Sequence, residues 1–390
     1  VSIHKAKSTK LWNEDFVMMI VLGTLSATSF YMITPILTKY ATILGATLTV
    51  AGMIAGLFSI TALVARPFGG FISDTYNKKY ILMAATLVMG ISTLGYSLST
   101  QLSMIVFFRI LHGIGFAVNG TVTVALIASS VPPDKLGQGI GYYGITNILA
   151  TAVGPNIGLL LGEHYGYKKV FLLSGSLLLI TTVLMTRLTY IKEVKTSAKK
   201  EVHFGDFVCL KVVPLALIGG VFSWNNGVVS SFLVLLAEER NIVNITLYFT
   251  INALCMLLTR PIIGKIIDKS ELSHIFYPAA LCSMCSMLFL SRASALWMVL
   301  VAAVLMAFGL GAGYPAIQTS CIRKVDKSKV GVAVSTFYIG ADIGQGIGPI
   351  AAGSISTAYG YTTMFTVCAG IVALGGIVFF AIQLYEHKHP

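Results

Sequence analysis

Apolar runs recur along this chain at about 16–38, 46–72, 79–98, 101–128, 138–162 and 168–189, and again at about 211–236, 243–267, 274–293, 295–320, 330–357 and 363–385. Each can cross a hydrocarbon core of roughly 30 Å as an α-helix, which takes about 20 residues. Inside lipid a segment must satisfy its own backbone N–H and C=O groups, so these runs dictate twelve spanning helices. Composition agrees: of 390 residues 56% are hydrophobic and 11% charged. A water-soluble domain carries roughly 25% charged residues, so this chain could not wet its own surface.

The twelve runs fall into two sets of six. A shift of 194 residues lays Arg66-Pro-Phe-Gly-Gly-Phe-Ile-Ser-Asp74 on Arg260-Pro-Ile-Ile-Gly-Lys-Ile-Ile-Asp268. The same shift carries Gly137 to Gly331, Gly154-Pro155 to Gly348-Pro349, and Tyr165-Gly-Tyr167 to Tyr359-Gly-Tyr361. One offset through four separated landmarks marks a tandem duplication. Six spans per copy give both copies the same orientation, so the repeats are parallel. The expected organisation is an N-terminal six-helix bundle over 1–190, a cytoplasmic linker over 191–206 and a C-terminal six-helix bundle over 207–390.

Basic residues orient the chain. With the N-terminus cytoplasmic, eighteen Lys and Arg fall on the inner side, among them Lys5, Lys7, Lys10, Lys78, Lys79, Lys135, Lys192, Lys195, Lys199, Lys200, Arg323 and Lys324. Five fall outside: Lys39, Lys168, Lys169, Arg240 and Arg292. Both termini are therefore expected in the cytoplasm. This asymmetry, set against anionic inner-leaflet lipid, accounts for the net charge of +12 without a nucleic-acid partner. The first apolar run is too long for a cleaved leader and lacks a small-residue cleavage site, so it is expected to remain as a span. All six cysteines lie in the second half. Cys282-x-x-Cys285 sits within an apolar run with no nearby His or second pair, which favours packing over a metal or redox site.

The second span closes with Gly70-Phe-Ile-Ser-Asp74-Thr-Tyr-Asn-Lys78-Lys79. This resembles the cytoplasmic loop signature of the major facilitator superfamily, with Tyr76 and Asn77 standing where that family usually has Arg and Gly. The resemblance implies that Asp74 acts on the N-terminus of the eleventh helix as part of a conformational latch, with Gly70 allowing close approach, Lys78 and Lys79 offered to the cytoplasmic surface, and Asp268 as the second copy. Arg109-Ile-Leu-His-Gly113 in the fourth span resembles the family's fourth-helix motif, associated with proton-coupled members. Arg109 could equally be structural, bonding backbone carbonyls of a neighbouring helix, because an Arg at depth costs at least about 2.5–3.5 kcal/mol and needs partners. His112 is expected to be a packed donor. Gly154-Pro155-Asn-Ile-Gly158 resembles the signature of the superfamily's drug/proton exporters, and Gly348-Pro349 is its echo. The prolines kink these helices and the glycines admit a neighbour.

Other polar residues at depth are candidates for a solute cavity. Thr24, Thr28 and Tyr31 share a face of the first helix, which suggests a wet surface; the alternative is hydroxyls bonded to their own backbone. Asn225 matches Tyr31 under the repeat, and Asn226 follows it. Gln318 lies in the tenth span. Tyr338, Asp342 and Gln345 share a face of the eleventh. Asp342 is the one carboxylate placed deep in a span, and Ile148 is its counterpart, so the repeat does not require it. Low dielectric favours the neutral form of a carboxylate, which makes such a residue a candidate proton carrier or cation ligand. A structural ion pair, with Arg109 among the possible partners, is the other reading.

The resemblance as a whole is to the twelve-helix drug/proton antiporter and small-solute exporter branch of the superfamily. It implies an all-α membrane protein, two six-helix bundles about a central cavity, and alternating access. It further implies a proton gradient as energy source with no bound cofactor, a monomer, and a small organic solute or drug as substrate; the sequence shows no eukaryotic-style sorting signal, so a bacterial inner membrane is the expected location. A proton-driven importer of sugars or metabolites and a lipid or glycolipid flippase are the alternatives on the same fold. An enzyme would need a clustered nucleophile and base or a metal constellation, and no His, Asp, Glu or Cys cluster at ligand spacing is present.

Overall fold

The computed structural model describes residues 11–46, 48–189 and 203–388. Lys5, Lys7, Lys10 and the linker lysines Lys192, Lys195, Lys199 and Lys200 lie outside the described residues, as does most of the 191–206 segment.

Regular structure among the described residues is helical. The helices are α1 (Glu14–Ile43), α2 (Leu48–Thr75), α3 (Lys78–Leu98), α4 (Leu102–Ser130), α5 (Leu136–Tyr165), α6 (Tyr167–Leu184), α7 (Val213–Glu239), α8 (Leu247–Lys269), α9 (Leu272–Ser291) and α10 (Leu296–Arg323). The last helical stretch, Val330–Lys388, passes through Gly360, whose φ of 79° and ψ of 169° are not helical. It is therefore two helices, α11 over 330–359 and α12 over 361–388. Among the described residues twelve α-helices stand on the twelve apolar runs.

Local chemistry sets several of the ends. Asn13 caps α1 by accepting from Phe16 N at 2.9 Å, and Glu14 and Asp15 follow in the first turn, where negative charge suits the helix dipole. Asn77 caps α3 by accepting from Lys79 N at 3.0 Å. Gly166, at φ 87°, turns α5 into α6 within one residue, as Gly360 turns α11 into α12. The Tyr-Gly-Tyr landmark thus survives in both repeats because a left-handed residue is needed at the same junction.

The helices form two compact units. The first comprises the described residues of Val1–Pro133, Tyr142–Val208 and Asp326–Ser335; the second comprises Asp134–Gly141, Cys209–Val325 and the described part of Thr336–Pro390. The first turns of α5 and α11 are thereby assigned to a different unit from the rest of their helices.

In the first unit α3 packs on α4 and α6, α2 on α4, and α1 on α6. Ser29 Oγ donates to Ser174 O at 2.9 Å and Ser174 Oγ donates to Ser29 O at 2.8 Å, pinning α1 to α6 with reciprocal bonds. In the second unit α10 packs on α7, α8 and α9. Leu233, Leu236, Met287, Leu290, Val299 and Phe365 are among its core. Arg240, at the end of α7, donates to Ala293 O at 2.7 Å, Ser291 O at 3.0 Å and Thr362 Oγ1 at 2.8 Å. It thus satisfies carbonyls left open where α9 ends. Large apolar side chains such as Val64, Leu160, Leu258 and Ile350 are strongly exposed, as a lipid-facing surface requires.

Candidate functional site

Asp74 lies one residue before the end of α2. Its Oδ1 accepts from Gly331 N and its Oδ2 from Val332 N, each at 2.8 Å. Both N–H groups belong to the first turn of α11 and have no partner within their own helix. A carboxylate at a helix N-terminus is favourable by about 0.3–1 kcal/mol, and up to about 2 kcal/mol when partly buried. One turn on, Ser335 Oγ donates to Arg66 O. Gly70 makes the approach possible: a Cβ there would stand 2.6 Å from Ser335 Cβ and 2.9 Å from Val332 Cα.

The second unit repeats this clasp position for position. Asp268 Oδ1 accepts from Gly137 N at 2.6 Å, and Oδ2 accepts from Gln138 N at 3.0 Å and Gln138 Nε2 at 3.1 Å. Gly264 takes the place of Gly70, with Gln138 Cα 2.8 Å from its would-be Cβ. Gly141, which replaces Ser335, stands against Arg260 O. One element is new. Arg323 Nη2 lies 2.8 Å from Asp268 Oδ1 and Nη1 donates to Ile267 O at 3.1 Å. Its counterpart in the first repeat is Ser129. Ser335, Gln138 and Arg323 complete the clasps; running the 194-residue register past Gly137 and Gly331 pairs Gln138 with Val332 and Gly141 with Ser335.

The expectation that Lys78 is offered to the surface is corrected, and Lys79, which is half-buried, is engaged there by backbone carbonyls. They open α3: Lys78 is buried at 7% exposure, and Lys79 Nζ donates to Thr186 O at 2.6 Å and Leu188 O at 2.7 Å. The physical reason is the short 3-10 turn Met185–Arg187 after α6, whose carbonyls need donors once the helix has ended.

Arg109 is buried in the first unit, with Nε donating to Ile54 O at 3.4 Å and the guanidinium 4.5 Å from the Phe58 ring centroid. His112 Nδ1 lies 3.3 Å from Tyr96 OH, and its ring packs edge-on against Phe30 and Phe58. Both are thus set among aromatic side chains and the α2 backbone, the packing arrangement allowed for in the sequence. Thr24 Oγ1 donates to Ile20 O at 2.8 Å in its own helix. Thr28 and Tyr31 are half-buried. Beside them α5 comes very close: a Cβ on Gly154 would be 2.8 Å from Tyr31 Cβ and 3.2 Å from Thr28 O, next to the helical Pro155. The echo holds in the second unit, where a Cβ on Gly348 would stand 3.1 Å from Trp224 O and one on Gly227 would stand 3.3 Å from the Pro349 ring.

The remaining candidates sit in the second unit. Asn226 Nδ2 donates to Gln345 Oε1 at 3.3 Å, joining α7 to α11. Asp342 and Tyr338 are half-buried on the same stretch of α11, Asp342 one turn before Gln345. Asn225, expected to touch a solute, is fully buried, and its Nδ2 donates to Ser283 Oγ of α9 at 3.1 Å. Neighbours in a helix differ by about 100° in direction, so Asn226 can face α11 while Asn225 packs inward. Gln318 is buried too, and its Nε2 has no hydrogen-bond partner among the described residues.

The family model described as Major Facilitator Superfamily matches residues 19–269 and 215–390. The chain belongs to the major facilitator superfamily. Among curated relatives it is 28% identical over 384 residues to the multidrug resistance protein MdtG of Citrobacter koseri, covering 94% of each chain. It is also 28% identical over 386 residues to MdtG of Salmonella typhi, again 94% of each. Solved structures share the fold at low identity. The major facilitator superfamily transporter FucP in its outward conformation matches with TM-score 0.81 and 15% identity over 95% of this chain and 98% of that one. The human organic anion transporter MFSD10 matches with TM-score 0.79 and 16% identity over 93% and 98%. The protein is thus an integral membrane transporter of twelve helices, whose two carboxylate clasps are equivalent parts of the duplicated superfamily fold.

Proposed function

We propose that the protein exports small organic solutes, drugs among them, across the cell membrane by proton-coupled alternating access. The observation that carries this reading is the full-length likeness to proteins named for multidrug resistance. Asp342 is assigned the coupling role: it is a half-buried carboxylate one turn from the Asn226–Gln345 contact. In the proposed cycle Asp342 takes a proton from outside as solute leaves, and gives it up inside as new solute binds. Asn226, Tyr338 and Gln345 are assigned solute contacts within the second unit, and Thr28 and Tyr31 are the candidates within the first. Thr24, Asn225, Gln318 and Arg109 hold the shape of the helices that carry them. The Asp74 and Asp268 clasps open and close as the starts of α5 and α11 shift between states. Both termini face the cytoplasm, the proton gradient supplies the energy, and a monomer suffices.

Flux direction tests the reading. Energised inside-out vesicles carrying the protein should accumulate a cationic dye in their lumen, and a protonophore should abolish the accumulation. Accumulation only in right-side-out vesicles would make the protein an importer. Scrambling of labelled lipid in liposomes with no solute movement would make it a flippase.

A further inference from the structure

At the end of the second unit that carries the Asp268 clasp, a cavity of about 340 Å³ opens between the start of α9, the end of α10 and the late part of α12. Arg323 and Lys324 form one wall, Leu272 and Ser273 another, and Leu215, Phe379 and Ile382 an apolar side. Glu271, the one carboxylate of the lining, is exposed.

The duplication provides an internal comparison. Shifting back by 194 residues places Glu271 on Asn77, Ser273 on Lys79 and Ile382 on Leu188. In the first unit this location is bridged by a side chain. Asn77 caps α3, and Lys79 stretches across to donate to Thr186 O and Leu188 O. In the second unit Glu271 stands at the N-cap of α9 without a side-chain cap bond. Ser273 is far shorter than Lys79 and cannot bridge to α12, so the location is hollow. Cations come from the opposite wall instead, at Arg323 and Lys324, where the first repeat has Ser129 and Ser130.

A guanidinium, an ammonium, serine hydroxyls and an uncapped helix start are all donors. Converging on one cavity, they match a tetrahedral oxyanion. We propose that this cavity binds the phosphate group of a phosphate ester, for which a membrane phospholipid headgroup and free phosphate are the two sources. The apolar side formed by Leu215, Phe379 and Ile382 suits the glycerol and upper acyl chain of the first. Changing Arg323 would also disturb its bonds to Ile267 and Asp268 in the clasp, so the substitution is made at Lys324 on the same wall.

The purified full chain in detergent is titrated with dioctanoyl phosphatidylglycerol, or with dioctanoylglycerol, which lacks the phosphate, and bound lipid is counted by native mass spectrometry. The wild type should retain one phosphatidylglycerol beyond the non-specific series and no matching dioctanoylglycerol. Lys324→Glu should lower retention about fivefold or more, the loss of one charge-assisted contact. Ser273→Lys, which restores the plug of the first repeat, should empty the cavity while keeping the wild-type melting temperature. If inorganic phosphate, and not the lipid, raises the melting temperature of the wild type and fails to do so for Lys324→Glu, the site stands with free phosphate as its ligand. Equal lipid retention and equal response to phosphate in all three proteins would overturn the proposal.

Discussion

Asp268 and Arg323 lie 2.8 Å apart, whereas Asp74 makes the same clasp on α11 with Ser129 at the position matching Arg323. The two clasps share a plan and differ in charge. Both carboxylates bond two first-turn N–H groups, so each is an anion on a helix N-terminus.

Replacing Asp268 by Asn should therefore lower the stability of the purified protein by about 1–3 kcal/mol, the scale of hydrogen bonds to a charged group. Arg323→Gln should cost less, about 0–1 kcal/mol, because the Arg323 side chain is 37% exposed and its ion pair is screened. Thermal or denaturant unfolding in detergent measures both. An Asp268→Asn protein as stable as the wild type would remove the clasp from the account.

Gly70 and Gly370 make a matched pair for the steric argument. A Cβ at Gly70 meets Ser335 Cβ at 2.6 Å and backbone beyond it, while a Cβ at Gly370 meets nothing within 4 Å. Gly370→Ala should be neutral or stabilise its helix by up to about 1 kcal/mol. Gly70→Ala should lower the melting temperature and cut transport, because backbone atoms have to move. Equal behaviour of the two variants in melting and dye-transport assays would contradict the close approach of α2 to the start of α11.

Asn225 and Asn226 separate packing from solute contact. Asn225→Ala removes a buried bond to Ser283 and should destabilise the protein by about 1–2 kcal/mol while leaving solute preference unchanged. Asn226→Ala should do the reverse, altering the apparent KM for solutes with little change in melting temperature. If Asn225→Ala alone changes solute preference, the roles assigned to the pair are exchanged.

The sequence carried the depth of these residues better than their direction. Apolar runs located all twelve helices, since backbone satisfaction in lipid leaves no other choice. The 194-residue offset located both acidic members of the clasps. It did not show that Asn225 turns toward α9, because depth in a span says nothing of azimuth. The partners of Lys79 were not legible because the carbonyls it serves, Thr186 and Leu188, are more than a hundred residues away. The cavity beside Lys324 depends on the absence of a lysine at Ser273. Such a gap becomes visible only when the folded repeats are compared.

Coupling through Asp342 is the central claim, and proton movement tests it directly. Inside-out vesicles energised to an acid interior and carrying wild type or Asp342→Asn would be challenged with cationic, neutral and anionic solutes. The account predicts solute-triggered proton release in the wild type and none in Asp342→Asn, with the mutant folded by its melting temperature. Equal release in both would contradict it.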